Sequence, residues 1–148
     1  MSVRAPRTAE IGRLFIVHHP TPPTLEEAKL ELHRYGVFAD RVGRAPIMMI
    51  PEKIIPPMAQ EVRNYYRDTA VGDPGIEAMV TVIGGIVGLG ASIMSSIMTQ
   101  IFQGRTDIPT RTIRDIEEAA KWLCEVADVQ AEPSQIVAVV EELRAQPA

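Results

Sequence analysis

The stretch that decides the fold is AMVTVIGGIVGLGASIMSSIMTQIFQG, residues 78–104, which contains no charged side chain. It is long enough to cross a bilayer, for which about 20 apolar residues suffice. However, Gly84 and Gly85 interrupt it, and this favours a buried strand over 78–83, a tight turn and a helix over 86–102. An uncharged polar face of that helix is formed by Ser92, Ser96, Thr99 and Gln103. We therefore interpret the stretch as part of a water-soluble protein, with a single-pass membrane protein as the alternative.

Strand and helix patterns alternate on both sides of this stretch. The predicted order is a strand over 11–19, a helix from Thr24, a strand over 46–51, a helix from Pro56, a strand over 78–83, a helix over 86–102, a strand over 110–113, a helix from Asp115 and a last helix from Pro133 or Ser134. Such alternation predicts a single small α/β domain with a four- to five-stranded, mostly parallel sheet and helices on its faces. We expect its core over 11–125, with 132–146 as an extra C-terminal helix.

Composition excludes several classes of protein. The chain has 148 residues, of which 46% are hydrophobic, and this suits one globular domain. The net charge of −4 provides no basic field for nucleic acid. A single cysteine, Cys124, excludes a disulfide within the chain and fits a reducing compartment. Because Arg13 interrupts the first apolar run, we expect no secretory signal and a cytoplasmic protein, with peripheral membrane attachment as an alternative.

Chemistry-bearing residues are few. His18 and His19 end the first predicted strand, and ligands of open α/β sheets bind at the carboxyl ends of strands. A weak candidate phosphate or ligand site therefore combines these histidines with the glycine turn, Gly84, Gly85 and Gly88. That turn lacks the order of a dinucleotide fingerprint or of a P-loop, so glycines used for close packing are the favoured interpretation. Neighbouring strand residues point to opposite faces, so the two histidines should not share a metal.

Other polar groups have simpler interpretations. The helix glutamates, among them Glu31, are expected at helix starts or on outer faces, where they cap helices and face solvent. His33 is expected to face solvent. No spacing of nucleophile and base, and none of metal ligands, stands out. We therefore expect no catalytic residues, no metal and no cofactor.

The helix predicted over 86–102 carries more large apolar side chains than one buried face needs. An exposed apolar strip would bind a protein partner, a lipid or a membrane surface. A broad stripe buried against the sheet is the simpler interpretation. The candidate binding residues are Ile93, Met94, Ile97, Met98, Ile101 and Phe102.

The segment RTIRDIEEAAKWL, residues 111–123, resembles the end of a known domain. In the SpoIIAA-like branch of the STAS superfamily, a last strand leads into a helix of the pattern D-x-x-E-A-x-x-W-L. The order of elements over about 11–125 is also similar, although no strand is evident before Ile11. The resemblance implies a STAS-like fold, a non-enzymatic interaction or regulatory role, and a comparison with the SEC14 lipid-binding fold. The phosphorylatable serine of some members is not implied, because PEKIIPPM, residues 51–58, has no serine or threonine.

Together, these observations predict a non-enzymatic, STAS-like interaction or regulatory module. Its expected partner is another protein or a second copy of the chain, and not nucleic acid. The alternative is a protein that binds a lipid or a membrane surface through the helix over 86–102.

Overall fold

The charge-free stretch folds as a buried strand followed by a helix. The computed structural model describes residues 7–53, 58–70, 75–84, 86, 89–101 and 108–146. In chain order the elements are β1 (Arg7–Ile11), β2 (Leu14–His19), α1 (Leu25–Val42), β3 (Ala45–Pro51), α2 (Gln60–Ala70), β4 (Ile76–Val82), α3 (Leu89–Ile101), β5 (Thr110–Ile113), α4 (Ile116–Val126) and α5 (Pro133–Ala145).

The five strands form one sheet in the order β1-β2-β3-β4-β5. β1 is antiparallel to β2, and each following pair is parallel. The predicted fold class, a mostly parallel α/β sheet with helices on its faces, is thus confirmed. Because the order always advances in one direction and crossovers are right-handed, the three crossover helices α1, α2 and α3 lie on the same face. The helices after β5, α4 and α5, cover the other face.

The core accordingly has two halves. On the α1–α3 face, Phe15, Val17 and Met49 from the sheet pack in one cluster with residues of the three crossover helices. On the α4–α5 face, Leu14 and Ile16 pack in a second cluster with residues of the last two helices. Both faces of β2 and β3 are covered, which explains why these strands are continuous apolar runs rather than alternating ones.

The single strand expected over 11–19 is wrong. Residues 7–11 form β1, which turns back through Gly12 into β2, so a strand does precede the expected start. Gly12 has φ +56°, and a Cβ atom there would lie 2.4 Å from the carbonyl oxygens of Val129 and Gln130. Only glycine fits such a turn pressed against another loop. β1 escapes prediction because its sequence, RTAEI, is mostly polar.

The ends of α1 follow the sequence signals. Thr24 accepts a hydrogen bond from the Glu27 N–H group, and the Glu27 side chain accepts one from the Thr24 N–H group, so the two residues form a capping box at the predicted start of the helix. Gly36 does not end the helix, which continues to Val42. The helix stops at Gly43, whose φ of +88° lies in the region that glycine adopts without strain.

The Arg13 side chain holds the amino-terminal edge of the parallel strands together. Its guanidinium group donates to the carbonyl oxygens of Val42 (3.3 Å), Arg44 (2.6 Å) and Asp128 (2.6 Å). It also pairs with Glu77 at the start of β4 at 3.2 Å. The Arg13 side chain is only 17% exposed. Its removal would therefore take a hydrogen bond from each of these groups.

We predict that Arg13→Lys lowers the free energy of unfolding by about 2–3 kcal/mol, because a lysine ammonium cannot reproduce the forked set of hydrogen bonds. Urea denaturation measures the change. The matched control is Arg67→Lys, whose guanidinium is half-exposed and pairs with its neighbour Asp68. That substitution should shift the value by less than about 0.5 kcal/mol. Equal effects of the two substitutions would contradict this stabilising role of Arg13.

Candidate functional site

The two adjacent histidines at the end of β2 point to opposite faces of the sheet. His18 and His19 are 4% and 6% exposed. His18 contacts groups on the α4–α5 side, and His19 contacts α1 on the other side. The expectation that they should not share one metal agrees with this arrangement. Each histidine instead has a carboxylate partner of its own.

His18 belongs to a chain of charged groups that ties α5 to the sheet. Its Nε2 atom lies 3.1 Å from Glu52 Oε1, just after β3. The same oxygen accepts a hydrogen bond of 2.6 Å from Arg144 Nε near the end of α5. The Glu52 N–H group also donates to the His19 carbonyl oxygen at 3.0 Å. Glu52 thus connects β2, β3 and the C-terminal helix.

Burial keeps His18 neutral. Desolvation lowers the pKa of His18 below its ordinary value of 6.5, and the hydrogen bond and negative charge of Glu52 oppose this only in part. Arg7 and Arg144 add to the lowering through their positive charges. We assign the neutral tautomer with the proton on Nε2, since Nδ1 is buried and has no hydrogen-bond partner among the described residues.

His19, Glu31 and Tyr66 form a second buried cluster, which we call the His19 cluster. His19 Nε2 lies 2.6 Å from Glu31 Oε1, although the two are not aligned for a hydrogen bond. The Tyr66 hydroxyl donates to the same oxygen at 3.0 Å. The pKa of Tyr66 is raised well above its ordinary value, first by burial and then by the Glu31 charge. The expectation that Glu31 lies on an outer helix face is wrong, because this carboxylate is buried between α1, α2 and β2.

Two small cavities of about 20 Å³ each lie beside the His19 cluster. The first is lined by His19 and Lys53 and by apolar residues including Pro22, Met58 and Ile97. The second is lined by Glu31 and Tyr66 and by apolar side chains from the sheet and α3. Met49 lines both. Each cavity has room for one water molecule.

Methionines are concentrated around these cavities. The residues concerned, which we call the methionine layer, are Met49, Met58, Met79, Met94 and Met98. All five are buried on the α1–α3 face, whereas Met48 points to the α4–α5 face. The Thr81 hydroxyl lies on the same face as the layer, in the strand row of Met49, and is buried without a hydrogen-bond partner in the described structure. An unpaired buried hydroxyl costs free energy, and such groups are uncommon in folded proteins.

The structure distinguishes between the two interpretations of the central helix. The inward side of α3 is formed by Met94, Ile97, Met98 and Ile101, all of them buried, as the favoured interpretation of a buried stripe predicts. Ile93 is 48% exposed and lies apart from them, so these described residues do not form the exposed strip of the alternative; Phe102 lies outside the described residues. The physical reason is that positions i, i+3, i+4 and i+7 share a helix face, whereas Ile93 falls beside that face.

The glycine turn supports a packing role where it can be described. A Cβ atom at Gly84 would lie 2.9 Å from the Arg114 carbonyl oxygen, so glycine allows the close approach of two backbone segments. Gly85 and Gly88, the other members of the weak ligand site, lie outside the described residues. The structure therefore brings His18, His19 and Gly84 into no common site.

The described residues contain no group of three or more histidine, cysteine, aspartate or glutamate side chains that could hold a metal ion. None of their helices is both long enough and apolar enough to cross a membrane.

Comparison with other proteins adds no relative. The chain matches no model of a known protein family, no curated protein and no solved structure.

Sequence reasoning identified one member of each histidine cluster and missed the others. Glu31 reaches His19 from α1, Tyr66 reaches Glu31 from α2, and Arg144 reaches Glu52 from 92 positions along the chain. For Tyr66 the sequence has a usable signal, because it lies four residues after Val62 on the apolar side of its helix. Glu31 lies three residues after Ala28 and four before Tyr35, so helix spacing places it on the buried side, and its charge concealed that signal.

We predict that His18 makes stability depend on pH. The folded state disfavours protonated His18, so its contribution is present above the unfolded pKa of about 6.5 and is lost as the pH falls below that value. Urea unfolding at several pH values between 8 and 5 should therefore show a shallower loss for His18→Gln than for the wild type. His33→Gln, at an exposed position, should keep the wild-type slope. Identical slopes in all three chains would refute the assignment.

A second prediction tests the orientation of α3. Ile97→Asp places a charge in the core and should lower the free energy of unfolding by more than about 4 kcal/mol, or prevent folding. Ile93→Asp, on the same helix, should cost less than about 1 kcal/mol because that side chain reaches solvent. Circular dichroism during urea titration measures both. A larger loss for Ile93→Asp than for Ile97→Asp would show that the inward side of the helix is assigned wrongly.

Proposed function

We propose that the protein binds a small, mainly apolar, uncharged molecule in the methionine layer, with the His19 cluster at its polar end. The observation that carries this proposal is that the two cavities flank one buried polar cluster and share a single side chain, Met49. A mostly apolar cavity with a few convergent polar groups is the usual form of a small-molecule site.

Methionine makes the site expandable. As they stand, the cavities have room for a water molecule but not for an organic molecule. Methionine is unbranched and has three rotatable bonds, so its side chain changes conformation at lower cost than leucine or isoleucine. Movement of Met49 would join the two cavities into one, with His19 on one side and Tyr66 on the other.

The polar cluster determines the kind of molecule that fits. Glu31 brings a buried carboxylate, so an anionic head group would meet a like charge in a medium of low dielectric constant. Lys53 also lines the first cavity, but it is exposed to solvent, so its charge is screened and offsets this repulsion only weakly. An alcohol or a ketone can instead exchange hydrogen bonds with the imidazole or the phenol. The expected ligand therefore has an apolar body and one hydroxyl or carbonyl group.

The role proposed for this cluster is binding and not catalysis. The Glu31 oxygen accepts a hydrogen bond from Tyr66 and lies 2.6 Å from His19 Nε2, and all three side chains are buried. The proposed apolar site lies in the interior and not on an exposed face of α3. The inward side of α3 forms part of its wall.

A second proposed function is the STAS-like interaction module, in the cytoplasm, that acts on a protein partner or on a second copy. Its support is the outer side of α1, which leaves Leu30 and Val37 exposed by 40% and 59% on a helix with an otherwise charged surface. Apolar side chains exposed together favour a contact with another surface. The two functions use opposite sides of α1 and are compatible.

We expect 1-hexanol to bind the methionine layer and hexanoate not to bind it. The measurement is NMR of the chain labelled with ¹³C in its methionine methyl groups. Signals of Met49, Met58, Met79, Met94 and Met98 should shift on titration with the alcohol. The Met48 signal should stay in place, because that side chain lies on the other face of the sheet.

The matched variants are Met49→Leu and Met48→Leu, which conserve volume. Met49→Leu should weaken the binding of 1-hexanol roughly fivefold, equivalent to about 1 kcal/mol, because leucine moves aside less readily. Met48→Leu should leave it unchanged. The proposal fails if the alcohol shifts no signal of the layer, if it shifts Met48 equally, or if hexanoate binds as well.

A further inference from the structure

Unpaired buried polar atoms mark two places on the α1–α3 face of the sheet. Among the described residues, the buried side-chain atoms without a hydrogen-bond partner are His18 Nδ1, His19 Nε2 and Thr81 Oγ1. His18 faces the α4–α5 side, so the two such atoms on the α1–α3 face belong to His19 and Thr81. Thr81 is fully buried and is not a member of the His19 cluster.

Strand register places Thr81 directly beside Met49. The two residues are partners in the parallel pair of β3 and β4, and Met49 is in turn the partner of Val17 on β2. Partners on neighbouring strands lie about 4.8 Å apart and project from the same face. Thr81 lines neither cavity, whereas Met49 lines both. The space that Met49 leaves when the two cavities join is therefore bordered by Thr81.

His19 borders the same space from the other side. It follows Val17 by two residues on β2, so its side chain is on the face of Met49, one row farther along the strands. The joined cavity would thus have a polar atom at each end, His19 Nε2 on β2 and Thr81 Oγ1 on β4. The side chains between these two atoms are mainly apolar.

The hydroxyl group of Thr81 is a cost to the unliganded fold. The residue lies between Val80 and Val82 in a strand that is buried along most of its length. Valine is branched in the same way as threonine and has no hydroxyl group, so it would fill the same space without a buried group that lacks a partner. Packing alone therefore favours valine at position 81. A bound molecule that forms a hydrogen bond with Oγ1 would remove the cost.

We propose that Thr81 binds a second polar group of the ligand, so that the molecule in the methionine layer carries one uncharged polar group at each end of an apolar chain. This inference deepens the proposed small-molecule function and rests on it. A charged group at the Thr81 end would be buried with a neutral hydroxyl as its partner, which compensates a charge poorly. The second group is therefore a hydroxyl, a carbonyl or an ether oxygen, each of which can pair with a threonine hydroxyl.

Sheet geometry sets the length of this ligand. Thr81 and His19 are two strands apart, about 10 Å, and two residues apart along the strands, about 7 Å, so their Cα atoms are separated by about 12 Å. Because both side chains project from the same face, their polar atoms are separated by a similar distance. A hydrogen bond of about 3 Å at each end leaves about 6 Å between the two polar groups of the ligand. A chain of roughly four to six carbon atoms covers this distance, extended in the shorter case and bent in the longer one.

Two isomeric diols test the second contact. With one hydroxyl group at the His19 cluster, 1,6-hexanediol can place the other at Thr81, whereas 1,2-hexanediol carries both at the same end. The full chain should bind 1,6-hexanediol at least about fivefold more tightly than 1,2-hexanediol. Without the second contact, the far hydroxyl group would be buried unpaired and would weaken binding of the 1,6 isomer. The dissociation constants are measured by titration of the methionine methyl signals, with 1-hexanol as the reference.

Variants at position 81 show whether the preference comes from the hydroxyl group. Thr81→Val should remove the preference for 1,6-hexanediol and change the dissociation constant of 1-hexanol by less than about twofold, because the alcohol has no second group to lose. Thr81→Ser keeps a hydroxyl group and should keep the preference. The matched control is Thr112→Val. Thr112 is the partner of Thr81 on β5 and lies one strand farther from Met49, so its substitution should also leave the preference in place.

The inference and the proposed function fail in different ways. If 1-hexanol binds the methionine layer but the wild type does not favour 1,6-hexanediol, the contact at Thr81 is overturned and the proposed function stands. The same conclusion follows if Thr81→Val keeps the wild-type preference, or if Thr112→Val removes it equally. If neither 1-hexanol nor a diol shifts the methionine signals, the proposed function is overturned and the inference with it.

Discussion

The strand order of this sheet advances in one direction from β1 to β5, and most of the architecture follows from it. Right-handed crossovers then place α1, α2 and α3 on one face, and only the chain after β5 can cover the other face. A sheet of this kind has no position at which the strand order reverses, so it lacks the crevice where open α/β sheets usually bind their ligands. Any binding site must therefore lie within a layer or along an edge.

The two histidines of β2 show the effect of this constraint. At the end of a strand with a helix layer on each side, both rings are buried and each takes a carboxylate from its own side. The His18 group joins α5 to the sheet, whereas the His19 group lies beside cavities lined by flexible side chains. Two residues that look equivalent in the sequence therefore have different roles, and the difference comes from the layers around them.

The sequence predicted the parts of the fold that local patterns control. Periodic apolar residues located the helices, and the Thr24–Glu27 capping box marked the start of α1. β1 was missed because RTAEI has no strand pattern of its own and is held by pairing with β2. In the candidate site, His19 was found, but burial of Glu31 depends on Tyr66, 35 positions away. On α3, apolar residues occur on several sides of the helix, so the sequence did not determine which side faces the sheet. In the structure, the inward side carries Met94 and Met98.

The clamp at Arg13 also constrains how the protein reaches its native state. The guanidinium donates to the carbonyl oxygen of a residue 115 positions later. The loop that joins α4 and α5 lies so close to the preceding residue, Gly12, that only glycine fits there. Contacts at such long sequence separation pay a large loop-closure entropy and tend to form late. During synthesis on a ribosome, the first hairpin therefore waits for nearly the whole chain before its turn finds the surface it fits. Until then, the edge strand depends on its pairing with β2 alone.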